Sequence, residues 1–434
     1  MRVSLHTLGC KLNFADTGSI GRAFAERGFE TVSFGDEAEV AVINTCTVTE
    51  EAERKCRQAI RRALRANPET FVIVTGCYAQ LRPDEIAKIE GVDLVLGTAE
   101  KNQVFSFVDE FTKSEQTQVH VSCLDEATDF GPSHAAGERT RAFLKVQDGC
   151  DYSCSFCTIP AARGPSRSHT IEGAVAQARA IGEEGFAEIV LSGVNIGLFG
   201  QDTGEDLLTL FRALDEIETV ERYRISSIEP NLLTDDIIAF TAGSRAFQPH
   251  FHLPLQSGDD EILGAMRRRY RRDVYVDRVA RVREFIPHAC IGVDVIVGFP
   301  GETDRHFQNT VDFLEGLEVS YLHVFTYSER PDTVAVDGLA GQMVERSVRS
   351  HRNRALRLLS ARKKNAFYEQ HLGTVRPVLW EKSGDDWMGG FTDNYIRVRQ
   401  AADPSARGSR TEVRLDAIGP GGSVEISDPD LVIL

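Results

Sequence analysis

The sequence predicts an α/β protein in three parts: an N-terminal open parallel α/β sheet, a central partial (β/α)6 barrel and a small C-terminal antiparallel β-barrel of the OB-like kind. Three observations carry this. Strand-like apolar runs alternate with amphipathic helical segments over most of the chain, the pattern of parallel sheets covered by helices. The alternation breaks at 111–139, a polar stretch with Gly and Pro that reads as a linker or extended crossover. Over roughly the last 60 residues it gives way to period-two alternation cut by Gly, Asp and Asn. The divisions that follow are 1–110, the linker 111–139, 140–370 and 371–434.

In the first part "RVSLHTLG", "EVAVINT", "FVIVTG" and "VDLVLGT" read as strands, separated by the helical "ADTGSIGRAFAERGF", "EEAERKCRQAIRRALRAN" and "PDEIAKIE". In the second, six strands are expected: "AFLKVQ", "EIVLSGVN", "RYRISSIE", "HFHLPLQ", "IGVDVIVGF" and "YLHVFTYS". Six β/α units with right-handed crossovers curve into a barrel short of the eight needed to close, leaving a lateral cleft that suits a large substrate. An Arg-rich helix at 343–366 leads into "TVRPVLWEKSG", "MGGFTDNYIRVRQ", "TEVRLDAIG" and "GSVEISD", the strands of the last part.

A formal charge of −16, taken alone, argues against a nucleic-acid partner. The charge is uneven, however. "RKCRQAIRRALR" (54–65) fits a solvated helix face, whereas "RRRYRR" (267–272) and the stretch 346–364 are dense enough in arginine to meet phosphates. "MRVSLHTLGC" has no apolar signal region, and no run is long enough to span a bilayer. The expected setting is the cytoplasm with no membrane partner, where nine cysteines read as metal or redox sites rather than disulfides.

Three of them, Cys150, Cys154 and Cys157, lie within eight positions just after the first barrel strand, at the mouth where barrel enzymes place their chemistry. Three thiolates hold three irons of a [4Fe–4S] cube and leave the fourth iron open. Tyr152 and Phe156 would give that cluster an apolar shell. The competing reading is a closed zinc site that takes Cys123 or His169 as its fourth ligand. A second trio is dispersed: Cys10, Cys46 and Cys77 each follow directly on a strand of the first part. The carboxyl edge of an open parallel sheet is where ligands bind, so the three converge there. Cys56 falls on the apolar face of its helix and reads as packing; Cys123 and Cys290 have no assigned partner.

The CxxxCxxC spacing, with an aromatic before the last cysteine and opening a β/α barrel, resembles the radical S-adenosylmethionine (SAM) superfamily. The resemblance implies that SAM chelates the open iron and that electron transfer to it yields a 5′-deoxyadenosyl radical. It makes candidates for holding SAM of polar residues at later strand ends: Ser192, Gly193 and Asn195, Ser227 and Glu229, Gln256, Asp294 and Gly298. Of His250 and His252, which alternate with Phe251, one is expected to point inward.

Two three-cysteine sites followed by an OB-like barrel resemble the methylthiotransferases over the whole length. The resemblance implies a second [4Fe–4S] cluster on Cys10, Cys46 and Cys77, which carries a sulfur that one SAM methylates. It implies a TRAM-type RNA-binding tail, and insertion of the methylthio group at a carbon from which the radical has removed hydrogen. "TLGCKLN" resembles the branch acting on N6-threonylcarbamoyladenosine next to the tRNA anticodon. The isopentenyladenosine branch typically has Gln where this chain has Lys11, and the ribosomal-protein aspartate branch reads Cys-Pro-Lys there. Implied partners are a tRNA anticodon stem-loop and an electron donor such as flavodoxin or ferredoxin, with the enzyme monomeric. Arg267, Arg268, Arg269, Phe391, Tyr395 and Arg397 are the candidate RNA contacts.

Two rivals remain at this level. "SLHTLG" holds His6 and Gly9 of a cobalamin-type DxHxxG pattern, with Ser4 in place of Asp. A non-enzymatic RNA-binding protein with structural zinc would explain the arginines but not two sites each lacking a fourth ligand.

Overall fold

Strands read as Val/Ile-rich runs, rather than as alternating patterns, where a sheet is covered on both faces. The N-terminal part follows that rule in a computed structural model that describes residues 1–46, 50–114, 116–124, 130–131, 133–135, 140–383, 386–419 and 421–427. Its elements are β1 (Arg2–Thr7), α1 (Lys11–Ala25), β2 (Glu30–Val32), β3 (Val40–Thr45), α2 (Glu50–Ala66), β4 (Phe71–Gly76), α3 (Cys77–Leu81), α4 (Pro83–Ala87), β5 (Leu94–Leu96) and β6 (Gln118–His120). Every residue of β3 and β4 is buried. The order is β2-β1-β3-β4-β5-β6 with all pairs parallel. Pairing of Thr7 with Asn44 and of Thr45 with Gly76 brings the carboxyl ends of β1, β3 and β4 level. Val3, Phe24, Val42 and Phe71 pack on one face, and Cys56, Ile60, Val72 and Tyr78 on the other. Cys56 is thus the packing residue its helical register suggests.

The stretch 111–139 is not simply a linker among its described residues. It supplies β6 at one edge of this sheet and β7 (His134–Ala135) at the edge of the next.

The central part continues with β8 (Arg141–Lys145), β9 (Gln147–Asp148), α5 (Ile159–Arg163), β10 (Arg167–Ser168), α6 (Ile171–Glu183), β11 (Glu188–Ser192), α7 (Leu207–Asp215), β12 (Arg222–Ile225) and α8 (Asp235–Gly243). After these come β13 (His250–Gln256), α9 (Asp260–Ala265), α10 (Arg272–Phe285), β14 (Cys290–Val297), α11 (Asp304–Gly316), β15 (Tyr321–Thr326) and α12 (Val334–Leu339). Strands β8, β11 and β12 pair in parallel, as do β13, β14 and β15. The bridges Tyr223–Phe247 and Ser227–His252 join the two sets into six strands. Alternation then sorts the side chains. Leu144, Ile189, Tyr223, Leu253 and Val293 pack with the covering helices, so Arg141, Phe143, Glu188, Arg224, His252 and Asp294 face the lumen. Both histidines, His250 and His252, face inward by this parity.

The long helix α13 (Arg346–Glu369) lies along β15 and leads into β16 (Val375–Ser383), β17 (Trp387–Thr392), β18 (Arg397–Ala401), β19 (Arg410–Ile418) and β20 (Val424–Ser427). These five close into a barrel in the order β16-β17-β18-β20-β19. Its pairs are antiparallel except β18 with β20, which run parallel. Trp380, Val398 and Leu415 form its core together with Cys290, which therefore packs at the junction of the two barrels. The arginine stretch 346–364 is partly structural. Arg349 pairs with Glu329 at 2.8 Å, and Arg352 with Glu302 at 2.6 Å and Asp304 at 2.7 Å. Arg346, Arg354 and Arg357 of the same helix remain exposed.

Candidate active site

The loop after β9 turns on Gly149, whose φ of +71° and approach to the Pro165 carbonyl leave no room for a side chain. From there it presents Cys150, Cys154 and Cys157 at the barrel mouth. Each sulfur has a donor: the Tyr152 N–H reaches Cys150 at 3.4 Å, the Ile159 N–H reaches Cys157 at 3.4 Å, and Arg268 reaches Cys154 at 3.1 Å. Burial pushes the Cys150 thiol up to about 11 and that of Cys157 up to about 12. Bare, these groups stay protonated at neutral pH; they become thiolates only against a strong positive charge, as metal binding provides. Three converging sulfurs with N–H donors aimed at them fit an iron–sulfur cluster. Cys123 is exposed, and His169 packs on Phe130 at 5.1 Å between ring centres.

Arg268 was expected on RNA; instead it is buried, donating to Cys154, to the Glu229 carboxylate and to the Tyr270 hydroxyl. Arg269 folds over the Tyr152 ring at 3.9 Å and donates to the Asp151 carbonyl at 2.7 Å. Arg267 is exposed. The run of arginines thus clamps the cysteine loop with two of its members. Sequence reasoning missed this because alternating contacts leave no compositional trace.

The other strand ends divide. The Asn195 amide is buried with neither its oxygen nor its nitrogen bonded, and the Ser226 hydroxyl beside Ser227 is likewise unpartnered. Such orphaned groups at the mouth fit a polar cofactor. Ser192 caps the Val190 carbonyl at 3.2 Å, and Gly193 packs against Gln147, whose oxygen accepts from the Asn195 N–H at 3.0 Å. Ser227 bonds His252 at 2.9 Å, and His252 bonds Asp294 at 2.8 Å, a relay across three strands. Gln256 sits at a bulge with φ +69°. Gly298 is accounted for by packing: a Cβ there would lie 2.3 Å from Arg349 Cγ.

The second trio gathers as the register requires. Cys10 caps the start of α1, Cys46 follows β3, and Cys77 opens α3. Gly9, at φ +104°, lies so close to Cys46 that an added Cβ would stand 2.7 Å from its Cβ and 2.9 Å from its Sγ. Gly9→Ala is therefore expected to displace Cys46 and lower bound iron from about eight to about four per chain, measured colorimetrically after reconstitution. Burial raises the Cys77 thiol, opposed by the guanidinium of Arg163 nearby. Arg163 belongs to α5, the helix following Cys157, and lies beside Cys77 and Cys10 of the second trio. It donates to Asp148 at 2.8 Å and to Asn13, within a wholly buried cluster in which Lys101 meets Asp16 at 2.7 Å and Lys145 meets Asp16 at 3.2 Å. No sequence pattern announced this cluster, whose members come from five separate segments.

The lumen floor is also charged. Glu188 receives Arg222 at 3.2 Å and Arg224 at 2.9 Å, and Arg141 pairs with Glu381 of the C-terminal barrel at 2.5 Å. Tyr395 stacks on His250 at 4.3 Å and on Phe391 at 4.6 Å. These two aromatics, expected to stack on exposed bases, thus plug the base of the central barrel. Arg397 is exposed beside Trp387, an aromatic that the sequence reading did not single out. Lys11 enters the same lumen from α1. Burial and the guanidiniums of Arg141 and Arg224 push its ammonium down to about 8.

Comparison with known proteins places these features. Residues 2–97 match the family described as Uncharacterized protein family UPF0004, and residues 144–314 match the Radical SAM superfamily. The chain is 40% identical over 404 residues to "Threonylcarbamoyladenosine tRNA methylthiotransferase MtaB" of Aquifex aeolicus, covering 92% of this chain and 97% of that one. It is 39% identical to the protein of the same name in Bacillus subtilis, covering 91% and 89% of the two. To "tRNA-2-methylthio-N(6)-dimethylallyladenosine synthase" of Cereibacter sphaeroides it is 33% identical, covering 96% and 97%. Among solved structures, the radical S-adenosylmethionine methyltransferase TsrM of Kitasatospora setae superposes with a TM-score of 0.58 at 14% identity, covering 79% of this chain and 78% of that one, which shows a shared fold. With both cysteine trios in place and such identity along nearly its full length, the chain belongs to the radical SAM tRNA methylthiotransferases.

Proposed function

We propose that the protein converts N6-threonylcarbamoyladenosine in tRNA to its 2-methylthio derivative. The observation that carries this is the presence of two ligand-deficient cysteine trios, with Arg163 of the helix after the first lying beside Cys77 and Cys10 of the second, in a chain 40% identical to a threonylcarbamoyladenosine methylthiotransferase. When bound, SAM and two [4Fe–4S] clusters supply the radical and the methylated sulfur. Cys150, Cys154 and Cys157 hold one cluster; Cys10, Cys46 and Cys77 hold the other. Asn195 and Ser226 orient SAM through their free polar atoms, and Arg268 with Glu229 fixes the loop that presents it. The apolar side chains that pack around Phe156 limit water there.

RNA is expected to approach from the open side of the barrel. A groove of about 830 Å³ runs between β15 and α13, lined by Arg346, Asn353 and Arg357. Arg267, Arg397 and Trp387 supply further exposed contacts for phosphates and bases. No helix among the described residues is long and apolar enough to cross a membrane. We place the enzyme in the cytoplasm as a monomer reduced by a flavodoxin- or ferredoxin-type donor.

Mass spectrometry of tRNA nucleosides tests the reading, in a host lacking its own methylthiotransferases, with a Cys150→Ala chain as the blank. The 2-methylthio derivative of N6-threonylcarbamoyladenosine should appear only with the intact chain. A methylthio group on isopentenyladenosine instead would overturn the choice of substrate.

A further inference from the structure

Lys11 stands out among the charged groups of the lumen. It lies one turn before Phe14, and Phe14 packs against Phe143 and Val190 on the inner face of β8 and β11. Residues three apart share a helix face, so Lys11 also points into the barrel. The residue as a whole is exposed at the open side of the lumen, while its ammonium is desolvated by the groups that surround it. Among the described residues it makes no hydrogen bond or ion pair.

The acids nearby are already engaged. Glu188 is shared by Arg222, Arg224 and Arg141, Glu381 is taken by Arg141, and Asp294 on the opposite wall is bonded to His252. The floor thus carries four cations, Lys11 included, against Glu188 and Glu381; Asp393, which also faces Arg222, is taken by Arg376 at 3.0 Å. A lumen with a surplus, unpaired ammonium selects a ligand that brings an anion. It rejects one that would place an alkyl group against that ammonium, because burying an unpaired charge costs heavily.

Lys11 adjoins Cys10, so its head group lies within one side chain's reach of the second cysteine trio. C2 and C6 of a purine flank the same N1, so a base whose C2 faces that trio holds its N6 substituent on the adjoining edge, within reach of a side chain that starts beside the trio. We propose that Lys11 is the specificity-determining residue: its ammonium pairs with the carboxylate of the threonylcarbamoyl group on the target adenosine. This rests on N6-threonylcarbamoyladenosine being the substrate. It also explains how one lumen tells an acidic N6 substituent from an apolar prenyl chain.

The test uses the reconstituted full-length chain and synthetic anticodon stem-loops with the threonylcarbamoyl carboxylate free or converted to its methylamide, read by fluorescence anisotropy. The wild type should bind the free acid roughly ten- to a hundredfold more tightly than the amide, the range of a charge-assisted bond. Lys11→Gln should bind the two within about twofold, and Lys11→Arg should restore part of the preference. Iron content and circular dichroism identify any variant that fails to assemble, and the wild-type comparison of acid with amide then decides alone. A wild type that modifies the threonylcarbamoyl RNA yet binds acid and amide equally overturns the role of Lys11 and leaves the substrate standing. So does a folded Lys11→Gln chain that keeps the preference. A wild type that modifies only isopentenyladenosine RNA overturns both.

Discussion

Cys77→Ala is expected to abolish methylthio transfer while sparing SAM cleavage. Cys77 sits buried at the start of α3, beside Arg163 of α5, the helix that follows the loop of Cys150, Cys154 and Cys157. Shortening a small buried side chain leaves a modest cavity, so the fold should survive. Bound iron should fall from about eight to about four per chain, one cube lost and one kept. With reductant, the variant should still form 5′-deoxyadenosine while 2-methylthio nucleoside drops to background. Cys157→Ala should lose both. Chromatography of the two products separates the trios. If Cys77→Ala also stopped 5′-deoxyadenosine formation, the division of labour between the sites would be wrong.

Arg163→Met should destabilise the chain by about 3–5 kcal/mol, the cost of leaving buried partners of a broken ion pair uncompensated. Arg163 is buried and bonds Asp148 and Asn13, neither of which has water to turn to. The unbranched methionine fills much of the same space, so lost charge rather than lost volume dominates. Arg163→Lys keeps the charge without the planar fork and should fall between the two. Thermal unfolding of the metal-free protein measures this; an unchanged midpoint would show that Lys101 and Lys145 suffice. The same cluster sets an acid limit. Burial alone would raise the Asp16 and Asp148 carboxyls, but the surrounding Lys101, Lys145 and Arg163 outweigh it and hold both well below the usual range. Folded values below unfolded ones mean that their contribution is complete above the unfolded pKa of about 4, declines below it and is gone only once pH has fallen through the folded values. The unfolding midpoint should therefore be level near neutrality and drop below about pH 4.

The features legible in the sequence were those carried by short-range pattern. Val/Ile runs marked β3 and β4, period-two alternation marked the C-terminal barrel, and the spacing of Cys150, Cys154 and Cys157 marked the first trio. The second trio was legible because parallel pairing makes the ends of consecutive strands coincide, which turns a sequence position into a spatial one. Contacts between parts were not legible. Arg268 and Arg349 look from the sequence like surface charge and prove to be buried braces. Phe391 and Tyr395 look like a base-stacking platform and prove to plug the central barrel. The edge strand β6 escaped notice because Gln118–His120 is short and mostly exposed, with no apolar run to betray it.

The most direct test gives the reconstituted enzyme an anticodon stem-loop whose N6-threonylcarbamoyladenosine carries deuterium at C2. Deuterium is expected in the 5′-deoxyadenosine released and a methylthio group at the carbon that lost it, both absent with Cys150→Ala. Protiated 5′-deoxyadenosine with RNA that keeps its deuterium would contradict that reaction.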